Sequence, residues 1–385
     1  MQYINSDFKL GILGGGQLGK MMALAAGNWH LPIYFLDQQL DFPAGPYGMG
    51  FTEGNFKDFD DVYAFGKDKD VLSIEIEHVN TDALLKLEKE GVIVHPSPRK
   101  LNIIKDKGLQ KQFYAEQKLP TSPFKLYPDK ESLLASIDSG ERPYPFVQKS
   151  RTAGYDGKGV AVINGPADRD KILDGAAMVE DKVNIEKELA VIVARRPSGE
   201  VKAFPTVEME FNPVANLVEF LVCPAQISPE QEKEALDIAI KTIEAYDLCG
   251  LLAVELFLDK AGNILINEVA PRPHNSGHHT IDSSYTSQFE QHIRAILDLP
   301  LGSTQAKTPI GIMINLLGAD GYTGTAKYEG LDQLLDMEGV YPHLYGKKLT
   351  KPFRKMGHAT ILGTDLEETK GRARVAQQKL RIMAE

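Results

Sequence analysis

The chain has 385 residues, too many for one hydrophobic core and enough for two or three domains. An apolar share of 43% and a charged share of 25% suit an ordinary globular protein, and a net charge of −10 argues against a nucleic-acid surface, which needs basic stripes. The two cysteines, Cys223 and Cys249, offer neither a disulfide framework nor a zinc spacing, and no signal core or membrane-length apolar run stands out, so a cytoplasmic protein is expected.

In chain order, a strand from Phe8 to Leu13 runs into Gly14-Gly15-Gly16-Gln17-Leu18-Gly19, then a helix from Lys20 to Ala26 and a second strand, Ile33 to Leu36, ending on Asp37. G-x-G-x-x-G followed by an acidic residue is the dinucleotide fingerprint and motivates one reading, an NAD-dependent oxidoreductase. Any strand, glycine loop and helix opening a doubly wound sheet needs similar glycines, so the motif alone is weak. A strand from Val71 to Ile76, a helix from Asp82 to Glu90 opened by Asn80 or Thr81, and a strand from Val92 to Val94 continue the alternation. Residues 1–98 are therefore expected to form a parallel α/β domain. Glu75 and Glu77 fall at its carboxyl edge, where open sheets bind ligands, although a spacing of two equally suits one solvent face.

Pro96-Ser97-Pro98 marks a boundary, and Arg99 to Lys118 reads as one Lys-rich helix. Lys149 closes a strand from Phe146 to Gln148, and a glycine-rich loop, Arg151 to Gly159, leads into a strand from Val160 to Ile163. Amides of such a hairpin can close over phosphate, with Lys149 and Lys158 adding charge; it is not a Walker A loop, which would open a helix. Strands follow from Asn184 to Ala194 and from Val201 to Pro205, then an amphipathic helix from Pro229 to Tyr246 capped by Ser228.

Val254 to Phe257, the turn Asp259 to Gly262 and Ile264 to Ile266 predict a hairpin whose register brings Glu255 and the Asn267-Glu268 pair to one face. Glu255 interrupts an apolar run and needs a partner there. Hard oxygen donors in that number suit magnesium held together with nucleotide phosphates. A helix from Thr286 to Leu297 and Pro300-Leu301-Gly302 close a domain spanning 99–299, with a lid over about 121–190. Residues 300–385 are expected to form a small α/β unit: a strand from Ile310 to Leu317, a strand from His358 to Leu362, and a helix from Asp365 onward. Its basic stretch from Tyr345 to Lys355 is either a solvated loop or a contact for a phosphate-bearing substrate.

Taken together, G-G-G-Q-L-G-K-M, A-G-Y-D-G-K-G, V-E-L-F, N-E-V-A-P-R-P-H-N-S-G-H, S-Q-F-E-Q-H-I-R-A and R-K-M-G-H resemble the ATP-grasp superfamily. Within it, the chain most resembles the family of N5-carboxyaminoimidazole ribonucleotide synthetases, biotin-independent carboxylating enzymes of purine biosynthesis. The resemblance covers nearly the whole chain and is most specific from Asn267 to His278. It implies an ATP-grasp fold with a Rossmann-like domain before it. It implies that Lys107 and Lys149 contact ATP, that Gly154, Tyr155, Gly157 and Gly159 cover its phosphates, and that Glu180 and Glu188 hold adenine and ribose. Glu255, Glu268 and Asn267 would hold Mg2+, Asn267 and Glu268 also lying against the nucleotide. Aminoimidazole ribonucleotide would meet Gln17, Glu75, Tyr155, Asn275, Ser276, Arg354 and Lys355. Asp156, Lys158, Arg272, His274 and Lys355 would form the catalytic set, with either Asp156 or His274 handling the amine proton.

The resemblance further implies bicarbonate as the third substrate, no biotin, no nucleic-acid or membrane partner, and a homodimer. Lys158 replaces an arginine common in the family loop, and Phe211 stands where many members carry histidine. His278 and His279 are expected to be structural, since no cysteine accompanies them. The remaining alternatives are another ATP-grasp ligase, such as a formate-dependent glycinamide ribonucleotide transformylase, and a non-catalytic ATP-binding scaffold.

Overall fold

The computed structural model describes residues 5–152, 159–212 and 217–385. The N-terminal unit alternates β1 (Leu10–Leu13), α1 (Gln17–Gly27), β2 (Ile33–Asp37), β3 (Gly50–Glu53), α2 (Phe59–Gly66), β4 (Val71–Ile74), α3 (Thr81–Lys89) and β5 (Ile93–Val94). Its strands pair in parallel in the order β3-β2-β1-β4-β5, as the alternation predicts. Asn80 is the cap of α3, its side chain accepting from Ala83 N at 2.9 Å. β4 stops at Ile74 rather than Ile76, because residues 75–77 leave the pleat to pair elsewhere.

The single helix expected over 99–118 is two, α4 (Pro98–Ile104) and α5 (Lys107–Glu116). Asp106 makes the break: its carboxylate caps α5 through Gly108 N at 2.8 Å and pairs with Arg151 at 2.6 Å. Lys107 thereby becomes the first residue of α5. The lid follows as β6 (Phe124–Tyr127), α6 (Lys130–Asp138), β7 (Phe146–Ser150), β8 (Val160–Ile163) and β9 (Ala177–Asp181), an antiparallel sheet ordered β6-β9-β7-β8. β7 and β8 flank the glycine-rich loop with Lys149 opposite Val160. Gly154, Tyr155, Asp156, Gly157 and Lys158 lie outside the described residues. Gly159 takes a positive φ of 78°, and its carbonyl accepts from Ser150 N at 2.8 Å.

The centre comprises β10 (Ile185–Arg195), β11 (Val201–Ala203), β12 (Val207–Asn212), β13 (Leu217–Cys223), α7 (Pro229–Ala245), β14 (Gly250–Asp259), β15 (Ile264–Ala270), α8 (Thr280–Ser283) and α9 (Gln288–Ile296). Then come β16 (Ile310–Leu317), β17 (Gly324–Glu329), α10 (Leu331–Leu335), β18 (Val340–Leu344), β19 (Leu349–Thr350), β20 (Lys355–Gly363), α11 (Leu366–Lys379) and β21 (Arg381–Ala384). One sheet runs β15-β14-β10-β12-β13-β16-β20-β18, so it is continuous past residue 300 through the pairing of β13 with β16. Helix α7, started by a Ser228–Gln231 capping box, lays Ala235, Ile238, Ala239 and Ile243 on Leu252, Val254, Leu256 and Ile266.

Helix α9 serves two layers. Its Phe289, Ile293 and Ile296 share a core with Leu18, Met21 and Met22 of α1, which seats the N-terminal domain against the central one. His292 on the same helix accepts at Nδ1 from Leu251 N (3.2 Å) and lies 2.9 Å at Nε2 from Ser73 Oγ. Among the described residues no helix is long and apolar enough to cross a membrane.

Candidate active site

The carboxylate hairpin forms with one addition that spacing alone does not give. Glu255 pairs with Glu268 and Leu256 with Ile266, so Asn267 is an extra residue on β15, a β-bulge. Ile264 and Ile266 face the core, Val269 does so again, and two consecutive positions, Asn267 and Glu268, stay on the cleft side. Burial first, then the neighbouring Glu268 and Glu188 carboxylates, push the Glu255 carboxyl up to about 8. Burial would also raise Glu268, but Lys107 and Lys149 overcome it and hold that carboxyl low.

Lysines converge on this face. Lys107 pairs with Glu268, and Lys149 donates to Asn267 Oδ1 at 2.7 Å while pairing with Glu180 at 2.7 Å. Lys111, only 1% exposed, pairs with the other oxygen of Glu180 at 2.7 Å, and Ser122 Oγ donates to that oxygen at 2.6 Å. Burial opposes ionisation of Glu180, yet Lys149 and Lys111 prevail and bring its carboxyl down to about 2. Nothing in the sequence marks Lys111, where Arg99 to Lys118 reads as one Lys-rich helix. Glu188 stands on β10 opposite Phe257, its carboxyl raised by burial against the opposing pull of Lys149. Lys107, Lys149, Glu180, Glu188, Glu255, Asn267 and Glu268 thus form one cluster.

The segment after β15 is clamped from below. Gln288, fully buried, accepts from His274 N at 2.9 Å, donates to His274 O at 2.8 Å and reaches His278 Nδ1 at 2.9 Å. In the sequence Gln288 is only the first residue of a helix in S-Q-F-E-Q-H; its burial, which demands hydrogen-bond partners, appears only in the fold. Ser276 N donates to His274 Nδ1 at 3.3 Å, so the ring proton sits on Nε2, 3.4 Å from Glu255 Oε1. Burial, then Arg272 and Lys355, depress His274 to about 3 and keep it neutral. Asn275 donates to Asn315 Oδ1 at 3.1 Å, and Arg272 forms an ion pair with Glu77 at 2.8 Å. His279 Nδ1 lies 3.1 Å from Ser276 O, and with the Gln288–His278 contact this gives both histidines structural partners.

Lys355 is close enough for its charge to act on His274, and its carbonyl accepts from Lys347 Nζ at 2.8 Å. Arg354 donates to Leu349 O of its own loop at 2.7 Å. Gln17 opens α1 beside the loop glycines.

Those glycines correct the dinucleotide reading. Asp37 accepts from Gly15 N at 2.7 Å, and Glu75 accepts from Gly16 N and, at 3.2 Å, from Leu18 N. The amides that would bind a pyrophosphate already hold two carboxylates of the chain itself. A Cβ at Gly16 would lie 2.4 Å from Glu75 Oε1, so glycine is required for that close approach rather than for a cofactor. Glu75, expected at the substrate, is 9% exposed with its oxygens spent here, and burial pushes its carboxyl up to about 7. Asp37, the acidic residue of that fingerprint, is likewise occupied.

Known families align with each part of this arrangement. Residues 8–105 match the ribonucleotide synthetase preATP-grasp domain, 112–289 the ATP-grasp domain, and 311–372 the phosphoribosylaminoimidazole carboxylase C-terminal domain. The chain is 38% identical over 366 residues to a chloroplastic phosphoribosylaminoimidazole carboxylase of Vigna aconitifolia, covering 93% of this chain but only 64% of that protein. The N5-carboxyaminoimidazole ribonucleotide synthetase of Thermotoga maritima superimposes with a TM-score of 0.89 at 41% identity, covering 98% of this chain and 100% of that one. The Aspergillus clavatus synthase, solved with ADP and 5-aminoimidazole ribonucleotide, superimposes with a TM-score of 0.87 at 30% identity, covering 96% and 98%. By this match over nearly its whole length, the chain belongs to the ATP-grasp family of N5-carboxyaminoimidazole ribonucleotide synthases.

Proposed function

We propose that this protein is a carbon–nitrogen ligase of purine biosynthesis. It carboxylates the exocyclic amine of 5-aminoimidazole ribonucleotide with bicarbonate and ATP, giving N5-carboxyaminoimidazole ribonucleotide, ADP and phosphate. The observation that carries the reading is the junction of two half-sites. The Lys107, Lys149, Glu180, Asn267 and Glu268 cluster meets the Arg272–Ser276 segment where His274 Nε2 approaches Glu255 at 3.4 Å. The Aspergillus clavatus relative, which carries ADP and the ribonucleotide together, supports it.

Glu255, Glu268 and the Asn267 oxygen would hold magnesium. Two facing carboxylates raise each other's cost of ionisation, and a dication between them relieves it. Among the described residues no three His, Cys, Asp or Glu side chains form a metal cluster, so phosphate oxygens would complete the shell, as is usual for this ion. When bound, magnesium supplies neutralising charge at the transferring phosphate.

In the proposed reaction a bicarbonate oxygen attacks the γ-phosphorus, the bond to ADP breaks, and carboxyphosphate forms. Lys107 and Lys149, now on carboxylate and amide oxygens, turn to the phosphates, while Glu180 and Glu188 hold adenine and ribose. Gly154 to Gly159, with Tyr155 and Lys158, close over the nucleotide and keep the acyl phosphate from water. The amine nitrogen then bonds to the carboxyl carbon, the carbon–oxygen bond to phosphate breaks, and the amine proton leaves. His274 has committed Nδ1 to Ser276 and carries its proton on Nε2, so it orients Glu255 and Asp156 takes the proton. Arg272 and Lys355 face the carboxylate of the intermediate; Gln17, Asn275, Ser276 and Arg354 complete the ribonucleotide site. A cytoplasmic homodimer belongs to the same proposal and rests on the family resemblance alone.

The test is phosphate release from ATP, magnesium and bicarbonate with and without the ribonucleotide. Stimulation by the ribonucleotide is expected, and its absence rejects the assignment.

A further inference from the structure

Glu75 and Glu77 lie two residues apart, and a regular strand would turn them to the same face. The chain instead leaves the sheet after Ile74, and the two carboxylates part company. Glu75 turns back to the amides of Gly16 and Leu18, whereas Glu77 reaches across to Arg272 of the central domain, Oε1 to Nε 2.8 Å. Both members of that ion pair are about four-fifths shielded, with side chains 20% and 19% exposed. The approach is off the line of the N–H, so Nε lacks an aligned hydrogen bond and the pair is held by charge. One further branch of the guanidinium, Nη1, donates to Pro273 O at 3.0 Å.

The surroundings make this carboxylate distinctive. A recess of about 470 Å3 next along the chain is lined by Lys57, His78 and Lys105 together with Asp82. Arg272 and Lys355 both stand close enough for their charges to act on the neutral His274. Arg272 thus shares its surroundings with the cations Lys57, Lys105 and Lys355, and Glu77 is the acid in contact with it.

We infer that Glu77 is a positioning residue for the carboxylation step: it aims the Arg272 guanidinium at the carboxylate of the acyl phosphate, from the N-terminal domain into the central one. The inference rests on the proposed function and deepens it. Loss of Glu77 leaves Lys107, Lys149 and the metal ligands untouched, so carboxyphosphate still forms. A misaimed Arg272 then lets water, rather than the amine, attack its carbon, giving bicarbonate and phosphate back without carboxylated product.

The experiment compares wild type, Glu77→Gln, Glu77→Asp, Arg272→Ala and the Glu77→Gln/Arg272→Ala double variant in the full chain. It measures phosphate released per ribonucleotide carboxylated, using labelled bicarbonate. For Glu77→Gln we expect kcat/KM for the ribonucleotide to fall about 10- to 100-fold, as for other misplaced reactive groups. The KM for ATP should stay within about twofold, several phosphates should be released per carboxylation, and Glu77→Asp should recover part of the coupling. Adding Glu77→Gln to Arg272→Ala should change nothing further, which keeps the idea testable through the double variant alone. Intact coupling in Glu77→Gln, or an additive double variant, overturns the inference. A wild type that releases no phosphate in response to the ribonucleotide overturns the functional reading instead, and this inference with it.

Discussion

Glu255 faces Glu268 directly across β14 and β15, and the single bulged residue Asn267 stands beside that pair on the same side. Three donors in one cleft therefore come from two short strands, with the hydrophobic alternation of the opposite face preserved.

Glu268→Ala is expected to fold and to lose ATP turnover by at least about 100-fold, since it removes one of two carboxylates for a cation normally held by one or two. Phosphate release measures the loss, and a melting curve close to wild type shows that the fold survives. Full turnover would contradict the metal assignment.

Deletion of Asn267 should be tolerated by the core. Without it, Ile266, Glu268 and Val269 alternate as an ordinary strand, so the apolar face keeps its register. What disappears is the oxygen that Lys149 holds at 2.7 Å. The expected result is a cooperative thermal transition near that of wild type together with a KM for ATP raised about tenfold, one lost charge-assisted contact. Failure to fold would show that the bulge is a requirement of the sheet itself.

Lys111→Met leaves Glu180 with Lys149 as its remaining cation, although burial disfavours the carboxylate. Breaking a buried pair costs about 3 kcal/mol or more, so denaturant unfolding should show a loss of that size, with weaker ATP binding by calorimetry. Lys111→Arg should recover less than its charge suggests, because a fork replaces a point donor at 1% exposure.

His292 gives the fold a pH dependence. Burial, with His95 adding to it, lowers its folded value to about 3, against an ordinary value near 6.5. Below the ordinary value the unfolded chain takes up a proton that the folded chain refuses, so stability falls as pH drops from about 6.5 towards 3. One such group contributes a slope of at most about 1.4 kcal/mol per pH unit. His292→Gln should flatten the stability–pH curve between about 6 and 4 by up to that slope. Identical slopes would assign the acid sensitivity elsewhere.

Much of this architecture is legible in the residues. The strand and helix alternation of the first domain, the Ser228 and Asn80 caps, the glycine hairpin and the carboxylate hairpin all follow from local periodicity and turn chemistry. What is not legible depends on distant partners. Lys111 looks like a surface lysine until Glu180, Thr121 and Ser122 close over it. The break between α4 and α5 was available in Asp106, an acceptor placed just before Lys107-Gly108, but the Lys-rich composition masked it. Glu77 acts on a residue far along the chain and Gln288 on one 14 positions before it, and no spacing rule joins them to Arg272 or His274.

The carboxylates of Asp37 and Glu75 also have a consequence for ligands of the N-terminal domain. They behave as an intramolecular competitor, tethered at a high effective concentration to the loop amides they occupy. A free dinucleotide would have to displace both before reaching those groups. Titration with NADH should therefore leave the melting temperature unchanged, while ATP with magnesium at about a hundredfold excess over its dissociation constant should add about 2.7 kcal/mol of stability. The domain keeps the scaffold of a nucleotide binder with the plug already in the socket.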